Sequence, residues 1–223
     1  MITKEKIIMP VDVNLPKEGM IYQREQYQKG GIGRWYWDYR DRKIIKYLVD
    51  SKCTEVNKRI IDIGCGEGIL IEKILQMFPE KEIIGIDPSK ENIEICKAHN
   101  LKVYHGSVYS LPFNDLSVDC VLLIEVIEHL DHPDKAISEI KRILKKNAFF
   151  IILFPHDIIF KYSRIITFKL KEAFYDSGHV KQWTPKEMHK FLVLNGFEII
   201  SRKNLPCHIW LISLHCLMVA RKL

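Results

Sequence analysis

The ten residues Arg59-Ile60-Ile61-Asp62-Ile63-Gly64-Cys65-Gly66-Glu67-Gly68 constrain this chain more than any other stretch. A β-branched run ends on an acidic residue, and glycines then fall at every second position. Apolar residues follow at helical spacing: Ile69, Leu70, Ile71, Ile74, Leu75 and Phe78. The pattern predicts a strand, a tight glycine turn and a helix. Glycine lets the backbone bend sharply and lets a ligand approach where a Cβ would block it. The helix start aims N–H groups into the same space. The layout suits a nucleotide-like cofactor.

Spacing separates one kind of cofactor from another. A dinucleotide-binding turn follows G-x-G-x-x-G. Here Ile69 stands at the third-glycine position, and the third glycine arrives one residue earlier, at Gly68. The pattern Asp62-x-Gly64-x-Gly66-x-Gly68 resembles motif I of the class I S-adenosylmethionine-dependent methyltransferases. A second apolar run, residues 82–87, ends in Asp87, roughly 20 residues beyond the turn, where an acidic residue meets ribose hydroxyls in related α/β sites. Leu111-Pro112-Phe113 also resembles a segment of that family.

The alternation of strands and helices predicts an α/β fold with a mostly parallel sheet. Strands are expected at 59–63, 82–87, 101–105, 117–124, 148–154, 197–202 and 215–221. Helices are expected at 43–49, 69–78, 90–99 with Ser89 as N-cap, and 134–145. Another starts at the capping box of Thr184, Pro185 and Glu187 and ends at Asn195-Gly196. Asn147 is the expected left-handed residue before the fifth strand. The resemblance implies a single Rossmann-like methyltransferase domain over residues 34–223, with helices on both faces of a seven-stranded sheet and an antiparallel last strand. Residues 1–33 lack periodicity and read as an N-terminal arm closed by Gly30-Gly31-Ile32-Gly33. Residues 156–180 read as a substrate-side insertion.

Composition bounds the partners. The chain has 223 residues, 47% hydrophobic and 28% charged, with net charge +6 carried by scattered lysines. That suits a single substantial core and permits contact with RNA or anionic lipid without demanding either. The six cysteines form no C-x-x-C pair and sit largely in apolar runs, as in a reduced, cytoplasmic protein. No apolar stretch is long enough for a transmembrane segment, and the N-terminus does not read as a signal peptide.

The resemblance also implies a cofactor site for S-adenosyl-L-methionine. Gly64, Cys65, Gly66 and Gly68 would face the methionine moiety, with Asp62 toward its amino group. Asp87, followed by Pro88, would take both ribose hydroxyls. Ser107 and Val108 would meet the adenine, with Ser107 standing where the family usually has an acidic residue. Arg42 is the first choice of partner for the methionine carboxylate and Arg40 the rival, while both also fit as plain surface charges. Glu125 closes the crevice after the fourth strand.

The reacting end is expected around Glu125-Val126-Ile127-Glu128-His129. A helical continuation would put Glu125, Glu128 and His129 on one face. The second segment, His179-Val180-Lys181-Gln182-Trp183-Thr184, adds another histidine. Together they resemble the ubiquinone-pathway O-methyltransferases and the small-RNA 3′-terminal 2′-O-methyltransferases. The latter implies a metal site for Mg2+ or Mn2+ made of Glu125, Glu128, His129 and His179. The alternative is that Glu128 and His129 are helix-start residues and His179 a loop residue. Glu125, His129, His156 and His179 are the candidate catalytic groups.

The expected function is methylation of a small-molecule acceptor substrate at oxygen. The alternatives are an RNA methyltransferase, a methyltransferase for a sugar or lipid-linked sugar, and a catalytically silent cofactor-binding partner subunit. An aminopropyltransferase shares the fold, but no acidic pair matches its polyamine site. In residues 158–174, Ile159, Tyr162, Ile166, Leu170 and Phe174 share one helical face, with Lys161, Arg164, Lys169 and Lys171 around it. That pattern suits transient contact with a membrane surface, or a helix packed on the domain.

Overall fold

The computed structural model describes residues 23–28, 30–156, 159 and 179–223. In chain order its elements are α1 (Gln23–Gln28), α2 (Gly31–Asp50), β1 (Arg59–Ile63), α3 (Ile69–Met77), β2 (Glu82–Asp87), α4 (Lys90–Ala98), β3 (Val103–His105) and β4 (Val118–Ile124). They continue with α5 (Pro133–Ile143), β5 (Leu144–Pro155), α6 (Pro185–Leu194), β6 (Phe197–Leu205) and β7 (His215–Lys222).

The strands form one sheet in the order β3-β2-β1-β4-β5-β7-β6. β1 runs parallel to β2 and β4, and β4 parallel to β5, while β7 is antiparallel to both β5 and β6. Side chains alternate across each strand, so one run of β-branched residues feeds two cores. Ile61, Ile63, Val121, Leu123 and Ile152 face α5 and α6 through Ile137, Ile140, Met188 and Leu192. Ile60, Ile83, Leu122 and Leu153 face the other way, onto Ile44 and Leu48 of α2, Ile71 and Ile74 of α3, and Ile93 of α4. The sheet is therefore covered on both faces, and the carboxyl ends of β1, β2 and β4 stand side by side.

Several boundaries differ from the expected ones. The glycines at 30–33 do not close a preceding segment. They open α2, with Gly30 as its N-cap at φ 70°. The helix expected at 134–145 stops at Ile143, because Leu144 turns extended and pairs with Val118, which lengthens β5. Asn147 is left-handed at φ 61° within that strand, where the register shifts. Ser89 caps α4 by accepting the Asn92 N–H, and Thr184 and Glu187 form the capping box of α6. Five of the six cysteines are buried and all six are free.

Among the described residues no helix is long and apolar enough to cross a membrane. The basic amphipathic segment expected at 158–174 lies, apart from Ile159, outside the described residues.

Candidate functional site

β1 delivers the chain into the glycine turn at the crest of the sheet. The Gly64 N–H donates to the Ile86 carbonyl at 2.7 Å, which pins the turn onto β2. Gly64 sits at φ 72°, and a Cβ there would lie 2.3 Å from Val126 Cγ2. Gly68, the N-cap of α3, sits at φ 78°, and its Cβ would lie 2.3 Å from Leu101 Cδ1. Any side chain at either position meets both a strained backbone and an occupied space. Cys65 is buried over Gly85, so only its backbone borders the crevice.

Asp87 ties this turn to the end of β2. Its Oδ2 accepts the Gly66 N–H at 2.8 Å, and its Oδ1 accepts the Ser89 N–H at 2.9 Å and Asn92 Nδ2 at 3.0 Å. A carboxylate offers about four acceptor sites, so one further hydrogen bond fits without rearrangement. The resemblance implied two, and the second requires the Asn92 side chain to let go. Burial pushes the Asp87 carboxyl up, against the pull of these three bonds. Beside it a cleft is lined by Gly64, Pro88, Ser107, Val108 and Val126. The Pro88 carbonyl is bonded to His105 Nε2 at 2.9 Å, and Ser107 Oγ accepts the Tyr109 N–H at 3.3 Å. A serine hydroxyl keeps a second acceptor site and its own proton.

Asp62 is buried on the opposite side of the strand from the Ile61 core. Its carboxyl is pushed up to about 7, first by burial and then by the neighbouring Asp87 and Asp41.

Of the two arginines, Arg40 pairs with Asp41 and Glu125, while Arg42 makes no such pairing among the described residues. Arg42 is exposed on α2. Arg40 donates twice to Asp41 Oδ1, from Nε at 2.9 Å and from a terminal nitrogen at 2.8 Å, and once to Glu125 Oε1 at 2.9 Å. Asp41 is buried and also takes Lys73 Nζ and the Tyr27 hydroxyl, at 2.7 and 2.6 Å. Burial pushes the Asp41 carboxyl up, but Arg40, Lys73 and Tyr27 outweigh it and hold it low. α1 straps onto the same place. The Arg24 N–H donates to Glu67 Oε2 at 3.0 Å, and its guanidinium reaches the Glu67 carbonyl and Glu72 Oε1, both at 2.7 Å.

Sequence reasoning nominated none of Arg24, Tyr27, Asp41 and His215, and it reads Tyr36 only within the aromatic cluster of residues 35–39, as a plug against the sheet edge or part of a lid over the site. The first three lie in stretches without a diagnostic spacing. The visible signal for His215 was a polar residue heading an otherwise apolar strand.

The reacting end departs from the expected arrangement. Glu125 is left-handed at φ 56°, and only a short 3-10 turn, Ile127–His129, follows it. That turn separates Glu125 from Glu128 and His129. Glu125 instead pairs with Arg40 and with His215 Nε2. Burial opposes its charge, but Arg40 and His215 outweigh it and hold its carboxyl well below the usual range. The left-handed backbone costs about 1–2 kcal/mol.

Glu128, His129 and His179 do converge: one ligand atom from each lies within 4.8 Å of the others. Glu128 is buried and the histidines half-buried. The Glu128 carbonyl accepts the N–H groups of Val180 and Lys181, at 2.8 and 3.2 Å, which stitches the two segments together. The His129 and His179 rings meet edge to face, 4.7 Å apart. One carboxylate and two imidazoles form a donor set suited to a first-row divalent cation. His156, following β5, packs on Trp210 with ring centres 4.4 Å apart.

Comparison with known proteins agrees with this geometry. Residues 61–152 match the family model described as a methyltransferase domain. The chain is 26% identical over 166 residues to a probable S-adenosylmethionine-dependent methyltransferase of Mycolicibacterium smegmatis, covering 74% of this chain and 60% of that protein. It is 31% identical over 156 residues to a ubiquinone biosynthesis O-methyltransferase of Pelagibacter ubique, covering 66% of this chain and 61% of that one. The chain thus spans less than two thirds of either relative. Among solved structures, a putative sarcosine dimethylglycine methyltransferase from Galdieria sulphuraria superposes with TM-score 0.66 at 16% identity, covering 91% of each chain. The YcgJ protein of Bacillus subtilis superposes with TM-score 0.57 at 20% identity, covering 78% of this chain and 96% of that one. Identities this low show the shared fold alone.

Proposed function

We propose, from the premise that this chain belongs to the class I S-adenosylmethionine-dependent methyltransferase superfamily, that it transfers a methyl group to a hydroxyl of a small molecule. The observation that carries the cofactor reading is the bond from the Gly66 N–H to Asp87, which joins the glycine turn and the second strand's acidic end into one cradle. S-adenosylmethionine, when bound, supplies the activated methyl group. Asp87 holds a ribose hydroxyl, Ser107 and Val108 border the adenine, and the Gly64–Gly68 backbone lets the methionine part come close. Asp62 faces the ammonium group, whose positive charge offsets the cost of ionising a buried carboxyl. The main contribution of the protein is alignment, because the cofactor carries the reactive group.

The names of the Pelagibacter relative and of a second ubiquinone biosynthesis O-methyltransferase, from Agrobacterium fabrum, support a hydroxyl acceptor. Glu128, His129 and His179 fit a divalent cation, which would lower the pKa of a hydroxyl bound to it. Without a cation, His129 and His179 would serve as proton acceptors. The convergence of these three residues also keeps an RNA ribose hydroxyl as the second reading. The test is transfer of labelled methyl from S-adenosylmethionine to a panel of catechols and other alcohols, against single-stranded RNA. Labelling of the small molecules supports the first reading, labelling of RNA the second. Labelling of neither class rejects both.

A further inference from the structure

Beneath Glu125 lies a buried layer that places its charge. His215, the first residue of β7, is fully buried, and Tyr36 on α2 is 5% exposed. His215 Nε2 meets Glu125 Oε1. The other ring nitrogen, Nδ1, lies 2.5 Å from the Tyr36 hydroxyl. The two rings stack with centres 5.6 Å apart and planes 12° from parallel. Three segments distant in sequence meet at one carboxylate.

An ionised carboxylate only accepts hydrogen bonds, so the Nε2 facing Glu125 carries a hydrogen. The direction of the Nδ1–Tyr36 bond follows the charge of the ring: in the neutral imidazole Nδ1 accepts and the Tyr36 hydroxyl donates to it. The tautomer of a histidine is set by the bond its other nitrogen makes, so Tyr36 keeps His215 aimed as a donor. Arg40 and His215 both land on Oε1 of Glu125. Among the described residues this leaves Oε2 for an incoming donor, on a side chain 27% exposed.

Resting on the methyltransferase reading, we propose that Tyr36 and His215 are positioning residues that fix Glu125 so that its Oε2 binds the acceptor's hydroxyl and receives its proton. A lone pair of the acceptor oxygen forms the new C–O bond as the methyl–sulfur bond breaks and leaves its electrons on sulfur. The O–H electrons stay with the oxygen, and the proton passes to Oε2 and then to water. An oxygen that has gained a methyl group while keeping its proton is a strong acid, so a strongly acidic carboxylate still accepts that proton. The arrangement selects a neutral alcohol or phenol and repels an acceptor that arrives as an anion.

The test uses the full chain with S-adenosylmethionine and catechol. Tyr36→Phe should fold normally and bind S-adenosylhomocysteine with unchanged affinity. It should lose about 10- to 100-fold in kcat with catechol KM unchanged, the usual scale for an orienting partner. In 15N-histidine NMR of the S-adenosylhomocysteine complex, the His215 signals should show hydrogen on Nε2 and none on Nδ1, and should move in Tyr36→Phe and in Glu125→Gln. A Tyr36→Phe enzyme with wild-type kcat, or a loss that tracks cofactor affinity, overturns the proposal. If the wild type does not methylate catechol, that acceptor fails and the NMR decides alone. His215 signals unmoved by both substitutions then reject the row, and coupled shifts uphold it.

Discussion

Asp87, at the end of β2, accepts the Gly66 N–H at 2.8 Å, so one carboxylate fixes the glycine turn, and it sits between Ile86 and Pro88, which line the cleft. This placement sets the first prediction. Asp87→Ala removes the anchor of the turn together with the proposed ribose contact. Calorimetry with S-adenosylhomocysteine is expected to show a loss of about 1.5–3 kcal/mol, the scale of hydrogen bonds to a charged group. Unchanged affinity would remove Asp87 from the site.

Asp62 predicts a dependence on pH. Its carboxyl is raised to about 7 in the folded chain, from an ordinary value of 3.8. A raised folded pKa means that stability is complete below the ordinary value and is lost as pH climbs to about 7. Asp62→Asn should therefore raise the Tm of the cofactor-free protein, by more at pH 8 than at pH 5. An ammonium group beside Asp62 reverses the shift, so cofactor binding near pH 6 should release a proton, detectable by calorimetry in two buffers. No proton release would separate Asp62 from the ammonium group.

The two arginines give a contrast within one helix. Arg40 is half-buried between Asp41 and Glu125, and Arg42 is exposed. Arg40→Ala strands the buried Asp41 carboxylate and unpairs the half-buried Glu125, and is expected to cost about 3 kcal/mol of unfolding free energy. Arg42→Ala should leave stability and S-adenosylhomocysteine affinity unchanged. Urea denaturation of both variants checks this, and equal losses would contradict the assignment.

The cluster of Glu128, His129 and His179 predicts a response to chelation. If it holds a cation, EDTA should abolish methyl transfer and Mn2+ or Mg2+ should restore it. Binding of Mn2+, followed by its electron paramagnetic resonance, should weaken in His179→Ala and stay unchanged in Glu125→Gln. Full activity in EDTA leaves the three residues as acid–base or structural groups.

The parts legible in the sequence were those written in short-range spacing. Glycines at every second position, Asp87 at its distance from them, and strand–helix alternation together determine the sheet and the cleft. The antiparallel β7 came from the family resemblance. The illegible parts depend on long-range meetings. Glu125 was grouped with Glu128 and His129 by helical spacing, but its left-handed backbone redirected it to Arg40 and to His215, ninety residues along the chain. The sequence offered both Arg42 and Arg40, because sequence order does not say which side of α2 faces the sheet; in the structure Arg40 faces Glu125 and Arg42 is exposed. Conversely, the pairing of His179 with Glu128 and His129 followed from two motif segments that the fold stitches together through the Glu128 carbonyl.

The central claim is that the cradle of Asp62, the glycine turn and Asp87 is built for S-adenosylmethionine. Calorimetric titration of the full chain with S-adenosylmethionine, S-adenosylhomocysteine and NAD, each in turn, tests it most directly. Saturable one-to-one binding of the first two and none of NAD is expected. Preferential binding of NAD, or no binding of either S-adenosyl compound, would contradict it.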